Sequence, residues 1–344
     1  LLATDWRLAG VIKRMSLSRR TVLAAGLSAP FAASQAIAQD FPGAAAYSAA
    51  RNGVSLLVMR HGEVVFEDYP GDGGPLRGWE LASGTKSFCG VMAAALAFDG
   101  RLSLDEGCAE TLSEWRDERR RGITIRHLLT LTSGLAGGPI GRPPVYAEAV
   151  ATQARDAAGA VFQYGPTPFQ VFGEIVHRKV NGDPLTYLRD RILGPLGVAP
   201  VHWRRGADGW PHMPSGAGLT ARDWARFGRF VMTPRSGEPP LDRATVSEFW
   251  QGTRANPGYG LTWWLLRPGL VTPGGNDRRR AGLPSDEGLA AMAVDVRMAA
   301  GAGNQRLYLI PDRDLVIVRQ GNRIAQSMRR GGDWDDAAFL RFFA

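Results

Sequence analysis

Strand-forming sequence lies at both ends of this chain, and helix-forming sequence lies between them. Near the start, Val54 to Arg60 and Val64 to Glu67 are apolar runs around His61-Gly62-Glu63. That spacing predicts two strands joined by a tight turn. Near the end, Arg306 to Ile310 and Leu315 to Arg319 flank Pro311-Asp312-Arg313-Asp314, and Gly260 to Leu266 is also strand-like. Between them, an apolar helical run opens at Ser83, extends through Ala97 and ends at Asp99-Gly100. Residues 123–196 read as mostly helical, with breaks at Ser133-Gly134, at Gly137 to Pro144 and at Tyr164 to Pro168. Leu219 to Met232 reads as a helix opened by Thr220, and Trp334 to Phe343 as a closing helix. Strands separated by so much helix can share one core only by pairing across the whole chain. The expected class is α+β: one antiparallel sheet built from both termini, flanked by helices, with a mostly helical insertion. The expected division is a single domain over 39–344, with sheet from about 50–80 and 255–344 and helices from about 83–250.

The chain carries a formal charge of +8, which invites a nucleic-acid reading. Two observations weaken it. Only Lys13, Lys86 and Lys179 are lysines, so 38 of the 41 basic residues are arginines, scattered along the chain. The N-terminus also holds part of the excess. From Met15, Ser18-Arg19-Arg20 precedes an apolar, Ala-rich run ending at Ala36-Ile37-Ala38. A basic stretch, an apolar stretch and a small-x-small site make a signal peptide, and the paired arginines resemble the twin-arginine export signal. Export to the periplasm or exterior is expected, with cleavage after Ala38 and Met15 as the start. Five cations and one acid leave with the leader, so the mature chain keeps +4. Neither nucleic acid nor a stable membrane anchor is expected. Two cysteines, Cys89 and Cys108, exclude a disulfide scaffold; they are open to pairing after export or to staying reduced.

Lysine scarcity directs attention to Lys86. It ends Ser83-Gly84-Thr85-Lys86 at the opening of the apolar helix. A spacing of three puts both side chains on one helical face. Free N–H groups at a helix start favour a developing alkoxide or oxyanion. Burial and positive potential lower a lysine pKa toward the range where a neutral amine serves as a base, which a serine nucleophile needs. An N-cap serine beside a solvated lysine is the bland alternative.

In context the stretch Ala82 to Glu106 resembles the serine beta-lactamase and penicillin-binding-protein-like superfamily, on its class C and esterase side. Ile123 to Leu135 and Ala302 to Pro311 resemble two further blocks of that family, in the same order. The resemblance covers roughly Val54 to the end. It implies Ser83 as nucleophile with Lys86, and Tyr164 as general base and leaving-group acid. A nearby cation is expected to lower the Tyr164 pKa. It also implies an oxyanion hole from the backbone N–H groups of Ser83 and Ala302. The family's Tyr-x-Asn is here Tyr164-Gly165-Pro166, and its third motif falls on Ala299-Ala300-Gly301. Pro166 and Ala299 therefore replace an amide and a cationic or imidazole side chain, while Gly301 is kept.

Both departures remove contacts that penicillin-like substrates use. The expected function is a secreted serine hydrolase acting on a small-molecule ester or amide, without metal or cofactor. The runner-up is a beta-lactamase or D-alanyl-D-alanine carboxypeptidase; a third reading is a non-catalytic binding protein of the same fold. Arg306 and Arg319 are candidates for a replacement cation, although a strand arginine is more often exposed. Tyr259, Trp263, Trp264 and Met298 are candidates for an apolar acyl pocket or for sheet core. Asn276 to Arg280 reads as a polar flap. His61, His127, His177, His202 and His212 show no metal-ligand spacing, and His127 reads as structural.

Overall fold

The computed structural model describes residues 39–116, 119–267, 294–326 and 333–343. The leader and the Asn276 to Arg280 flap lie outside the described residues.

Among the described residues nine strands form two sheets: β1 (Gly53–Arg60), β2 (Glu63–Asp68), β3 (Trp79–Glu80), β4 (His202–Trp203), β5 (Ala217–Leu219), β6 (Trp264–Leu266), β7 (Val296–Gly301), β8 (Gln305–Ile310) and β9 (Leu315–Gly321). The larger sheet is antiparallel in the order β2-β1-β9-β8-β7-β6. The early strand β1 pairs directly with the late strand β9, Leu57 opposite Val318, so strands from both sides of the helical region meet within one sheet. The expected α+β class and two-ended sheet are what the chain forms. His61 and Gly62, with φ of 52° and 83°, make the two-residue turn from β1 to β2.

The helices are α1 (Phe41–Ala49), α2 (Lys86–Phe98), α3 (Cys108–Thr111), α4 (Ile125–Leu129), α5 (Tyr146–Ala151), α6 (Thr167–Val180), α7 (Pro184–Leu188), α8 (Ala221–Met232), α9 (Arg243–Glu248) and α10 (Asp336–Leu340). They cover the large sheet on both faces. That is why β1, β8 and β9 are buried along nearly their whole length and read as continuous apolar runs rather than alternating ones. On one face α8 packs so closely that a methyl on Gly228 would fall 2.7 Å from the Leu307 side chain. On the other, Phe339 of α10 packs on Tyr308 at 5.8 Å between ring centroids. Among the described residues no helix is long and apolar enough to cross a membrane.

Several elements differ from expectation. The helix expected from Ser83 starts as a 3₁₀ turn, Ala82–Thr85, and becomes α-helical only at Lys86. The strand expected over Gly260 to Leu266 is confined to β6, because Thr262 adopts a left-handed φ of 73° that extended pairing does not tolerate. Leu219 belongs to β5, and Thr220 caps α8 by accepting from the Asp223 N–H. The closing helix shortens to α10 plus a 3₁₀ turn, with Asp335 as its cap. Cys89 and Cys108 are both free and fully buried, in α2 and α3.

Candidate active site

The site forms where the 3₁₀ turn before α2 meets the end of β7. Two hydrogen bonds, one backbone to backbone and one backbone to side chain, tie the turn to the small sheet. Leu81 N–H donates to the Ala217 carbonyl at 2.9 Å, and Ala217 N–H donates to Thr85 Oγ1 at 3.2 Å. Ala82, directly before Ser83, sits at φ 45°. A left-handed alanine costs about 1–2 kcal/mol, so the surrounding bonds hold a strained approach to Ser83. The tight turn keeps Ser83 and Lys86 on one side of the chain.

Lys86 Nζ donates to Ser83 Oγ at 3.0 Å and to the Pro214 carbonyl at 3.2 Å. The ammonium also lies 4.8 Å from the Tyr164 ring centroid and 5.3 Å from that of Phe169. Lys86 is only 3% exposed, and burial pushes its pKa down to about 7. A neutral amine is therefore accessible near physiological pH, as a base requires.

Tyr164 closes the other side. Its ring stacks on Trp264 at 5.7 Å, and its hydroxyl interacts with the Ser83 side chain. Contrary to expectation, no cation lowers it far enough to matter. Burial dominates and pushes the phenol up to about 12, against smaller opposing effects of Ser83 and Arg306. Tyr164 is a neutral phenol, suited to carrying a proton rather than to acting as a resident phenolate. Its backbone is held by close packing: a methyl on Gly165 would fall 2.1 Å from the Gly137 carbonyl oxygen. Pro166 is buried as the residue before α6, where its fixed φ of −80° suits a helix start. It offers the site no side-chain donor.

Gly301 abuts the turn. A Cβ there would lie 2.0 Å from the Leu81 carbonyl oxygen and 3.1 Å from the Gly84 nitrogen, so only glycine lets β7 come this close. The N–H groups of Ser83 and Ala302 are used in none of the turn or side-chain hydrogen bonds of the described residues. Ala299, 3% exposed and opposite Leu307 in β8, lines the strand without offering charge.

Arg306 and Arg319 differ from both expectations. Each is fully buried rather than exposed, and each is engaged away from Ser83. Arg306 Nε donates to Asp336 Oδ1 at 2.8 Å, and Arg319 Nη1 donates to the Gly303 and Asn304 carbonyls, both at 2.9 Å. Of the four candidate pocket residues, Trp264 and Tyr259 join Tyr164 and Phe162 in one aromatic wall, with Tyr259 and Trp264 edge-on at 4.8 Å. Trp263 and Met298 join none of these ring contacts and, like Tyr259, are fully buried. His127 caps its own helix start, its Nδ1 accepting from the Thr124 N–H at 3.2 Å. Sequence reasoning missed the Pro214 carbonyl as a Lys86 partner. A backbone acceptor in a Pro-Ser-Gly loop leaves no pattern in a sequence.

A family model described as Beta-lactamase matches residues 34–340. Among curated proteins, "Protein flp" of Staphylococcus aureus (strain MW2) is 24% identical over 165 residues, covering 42% of this chain and 33% of its own length. "Esterase EstB" of Burkholderia gladioli is 29% identical over 180 residues, covering 42% of this chain and 45% of its own length. The chain thus spans a third to a little under half of the length of these relatives. The solved structure of a class C beta lactamase from Rhodobacter sphaeroides superposes with a TM-score of 0.64 at 17% identity, covering 88% of this chain and 97% of that one. At that identity the likeness is one of fold.

Proposed function

This chain belongs to the Beta-lactamase family, and from that premise we propose that it is a serine hydrolase cleaving an uncharged carboxylic ester or small amide through an acyl-enzyme on Ser83. The observation that carries the reading is the 3.0 Å contact between Ser83 Oγ and a buried Lys86 amine whose pKa lies at about 7.

Neutral Lys86 accepts the Ser83 proton as Oγ attacks the carbonyl carbon. The carbonyl oxygen becomes an oxyanion, held by the N–H groups of Ser83 and Ala302. As the tetrahedral intermediate collapses, the bond to the leaving group breaks. The Tyr164 phenol delivers a proton to that group and recovers one from the Lys86 ammonium. A water then attacks the acyl carbonyl, and the same groups return the Ser83 proton. Each proton taken is given back, so the cycle consumes only substrate and water.

Substrate charge follows from what faces the site. Ala299 and Pro166 supply no cation or amide, and both nearby strand arginines are committed elsewhere. An aromatic wall of Tyr164, Trp264, Tyr259 and Phe162 suits an apolar acyl or alcohol group. EstB is named an esterase, in keeping with this choice. Export through the N-terminal leader, with removal after Ala38, forms part of the same proposal.

A fluorophosphonate probe is expected to label the protein, and Ser83→Ala to abolish labelling. Labelling that survives at another serine removes the assignment. Short acyl esters are expected to turn over faster than a chromogenic cephalosporin or a D-Ala-D-Ala peptide. Rapid cephalosporin turnover would make this a beta-lactamase instead, and no acylation across the panel would make it a binding protein.

A further inference from the structure

Behind the proposed oxyanion hole, on the far face of the sheet, lies a buried charge that the mechanism above does not use. Arg306 is fully buried, and its Nη1 donates to the Gly301 carbonyl and to the Gln305 carbonyl, each at 3.2 Å. The Gly301 carbonyl and the Ala302 N–H belong to the same peptide unit. A trans peptide is planar, with C=O and N–H pointing opposite ways. A donor that fixes the carbonyl on one side therefore fixes the direction of the N–H on the other. Hydrogen bonding at the oxygen also strengthens the N–H as a donor, more so when the bond is charge-assisted and shielded from water.

We propose that Arg306 is a positioning residue for catalysis, aiming and polarising the Ala302 N–H toward the oxyanion by holding the Gly301 carbonyl from behind. The inference rests on the Ser83 acyl-enzyme reading. It deepens that reading by placing a cation one peptide away from the substrate rather than against it.

Three arrangements support a built device. Asp336 of α10 anchors the guanidinium through Nε at 2.8 Å, and Asp336 is itself held by the Tyr308 hydroxyl and by Trp334 Nε1 at 2.9 Å. Arg319 holds two further carbonyls of the same turn, those of Gly303 and Asn304. The turn is thus fixed from the back at four carbonyls while its Ala302 N–H stays free of turn and side-chain partners among the described residues. The Arg306 charge also reaches Tyr164, where it works against the effect of burial.

The test uses the full chain and the paired variant Arg306→Met/Asp336→Asn, which removes both charges and leaves Tyr308 and Trp334 an acceptor. It is expected to lower kcat about ten-fold with KM within about two-fold, less than the ~10²–10³ lost with a whole oxyanion donor. The infrared carbonyl stretch of the Ser83 acyl-enzyme is expected to move to higher frequency, a signature that a merely structural loss does not produce. Leu57→Ala, a fully buried core change in β1, which β9 separates from β8, is expected to lower Tm and leave kcat and the stretch unchanged. Unchanged kcat and stretch in the folded paired variant overturn the proposal, as does an equal shift in Leu57→Ala. Should the pair fail to fold, Arg306→Lys decides by the same two readings, since it keeps a charge beside Asp336 but not the fork that reaches Gly301. If Ser83→Ala still shows the acyl band, the acyl-enzyme reading itself fails, independently of Arg306.

Discussion

Lys86 touches a hydroxyl, a backbone carbonyl and two aromatic rings, and no carboxylate is among the causes of its pKa shift. Its pKa of about 7 makes a kinetic prediction. With Lys86 as the base, kcat/KM rises with pH through an apparent pKa near 7 and then levels, since Tyr164 stays protonated up to about 12. A flat profile between pH 5.5 and 8.5 would remove Lys86 as the base. The same shift predicts stability. The unfolded lysine holds its proton to about 10.5 and the folded one only to about 7. Between these values the unfolded state binds more protons, so stability from this group rises with pH, and below about 7 the full cost of the buried ammonium remains. Lys86→Met is therefore expected to abolish acylation and yet raise Tm at pH 6, by up to a few kcal/mol in stability. The gain should shrink toward pH 10. Thermal melts across that range check the sign.

At the scale of elements, the contact between β7 and the 3₁₀ turn decides whether a site exists. Gly301→Ala places a methyl 2.0 Å from the Leu81 carbonyl oxygen, a backbone atom held within the turn whose residues bond to β5. The strand must withdraw, and the Ala302 N–H goes with it. We expect kcat to fall by about 10² or more, as when an oxyanion donor is lost, while circular dichroism shows the sheet intact. Wild-type kcat in a folded Gly301→Ala would show that β7 supplies no donor. This contact also marks where sequence reasoning stops. Ser83 and Lys86 were visible as residue types spaced by three at a helix start, Tyr164 and Gly301 only through the family resemblance, and β1, β2, β8 and β9 as apolar runs around turn residues. The strands β3, β4 and β5 have only two or three residues each, too few to leave a period. The 3₁₀ start of the helix escaped because it arises from tertiary ties to Ala217, not from local propensity. The fate of Arg306 escaped for a related reason: its partner Asp336 is thirty residues away, and nothing local announces a buried pair.

For the described residues as a whole, the two-ended sheet ties the turn after β7 to segments near residues 48–51 and 336. Arg319 bonds to Ser48 and to the Arg51 carbonyl near the start, and to the Gly303 and Asn304 carbonyls beside the site. Arg306 joins the Gly301 peptide to Asp336 near the end. The N–H of Asp40 closes the circuit by donating to the Phe342 carbonyl at 3.0 Å. Both arginines and Asp336 are wholly buried, so their charges were taken out of water at a cost that their bonds must offset. Removing one partner alone is then far worse than removing both. Asp336→Ala takes a bonded carboxylate away from a buried guanidinium and is expected to cost about 3–5 kcal/mol, while Arg306→Met/Asp336→Asn costs much less. A urea titration distinguishes them by midpoint at unchanged slope. If Asp336→Ala loses no more than the pair, the charges are compensated elsewhere and α10 does not brace the site through Asp336.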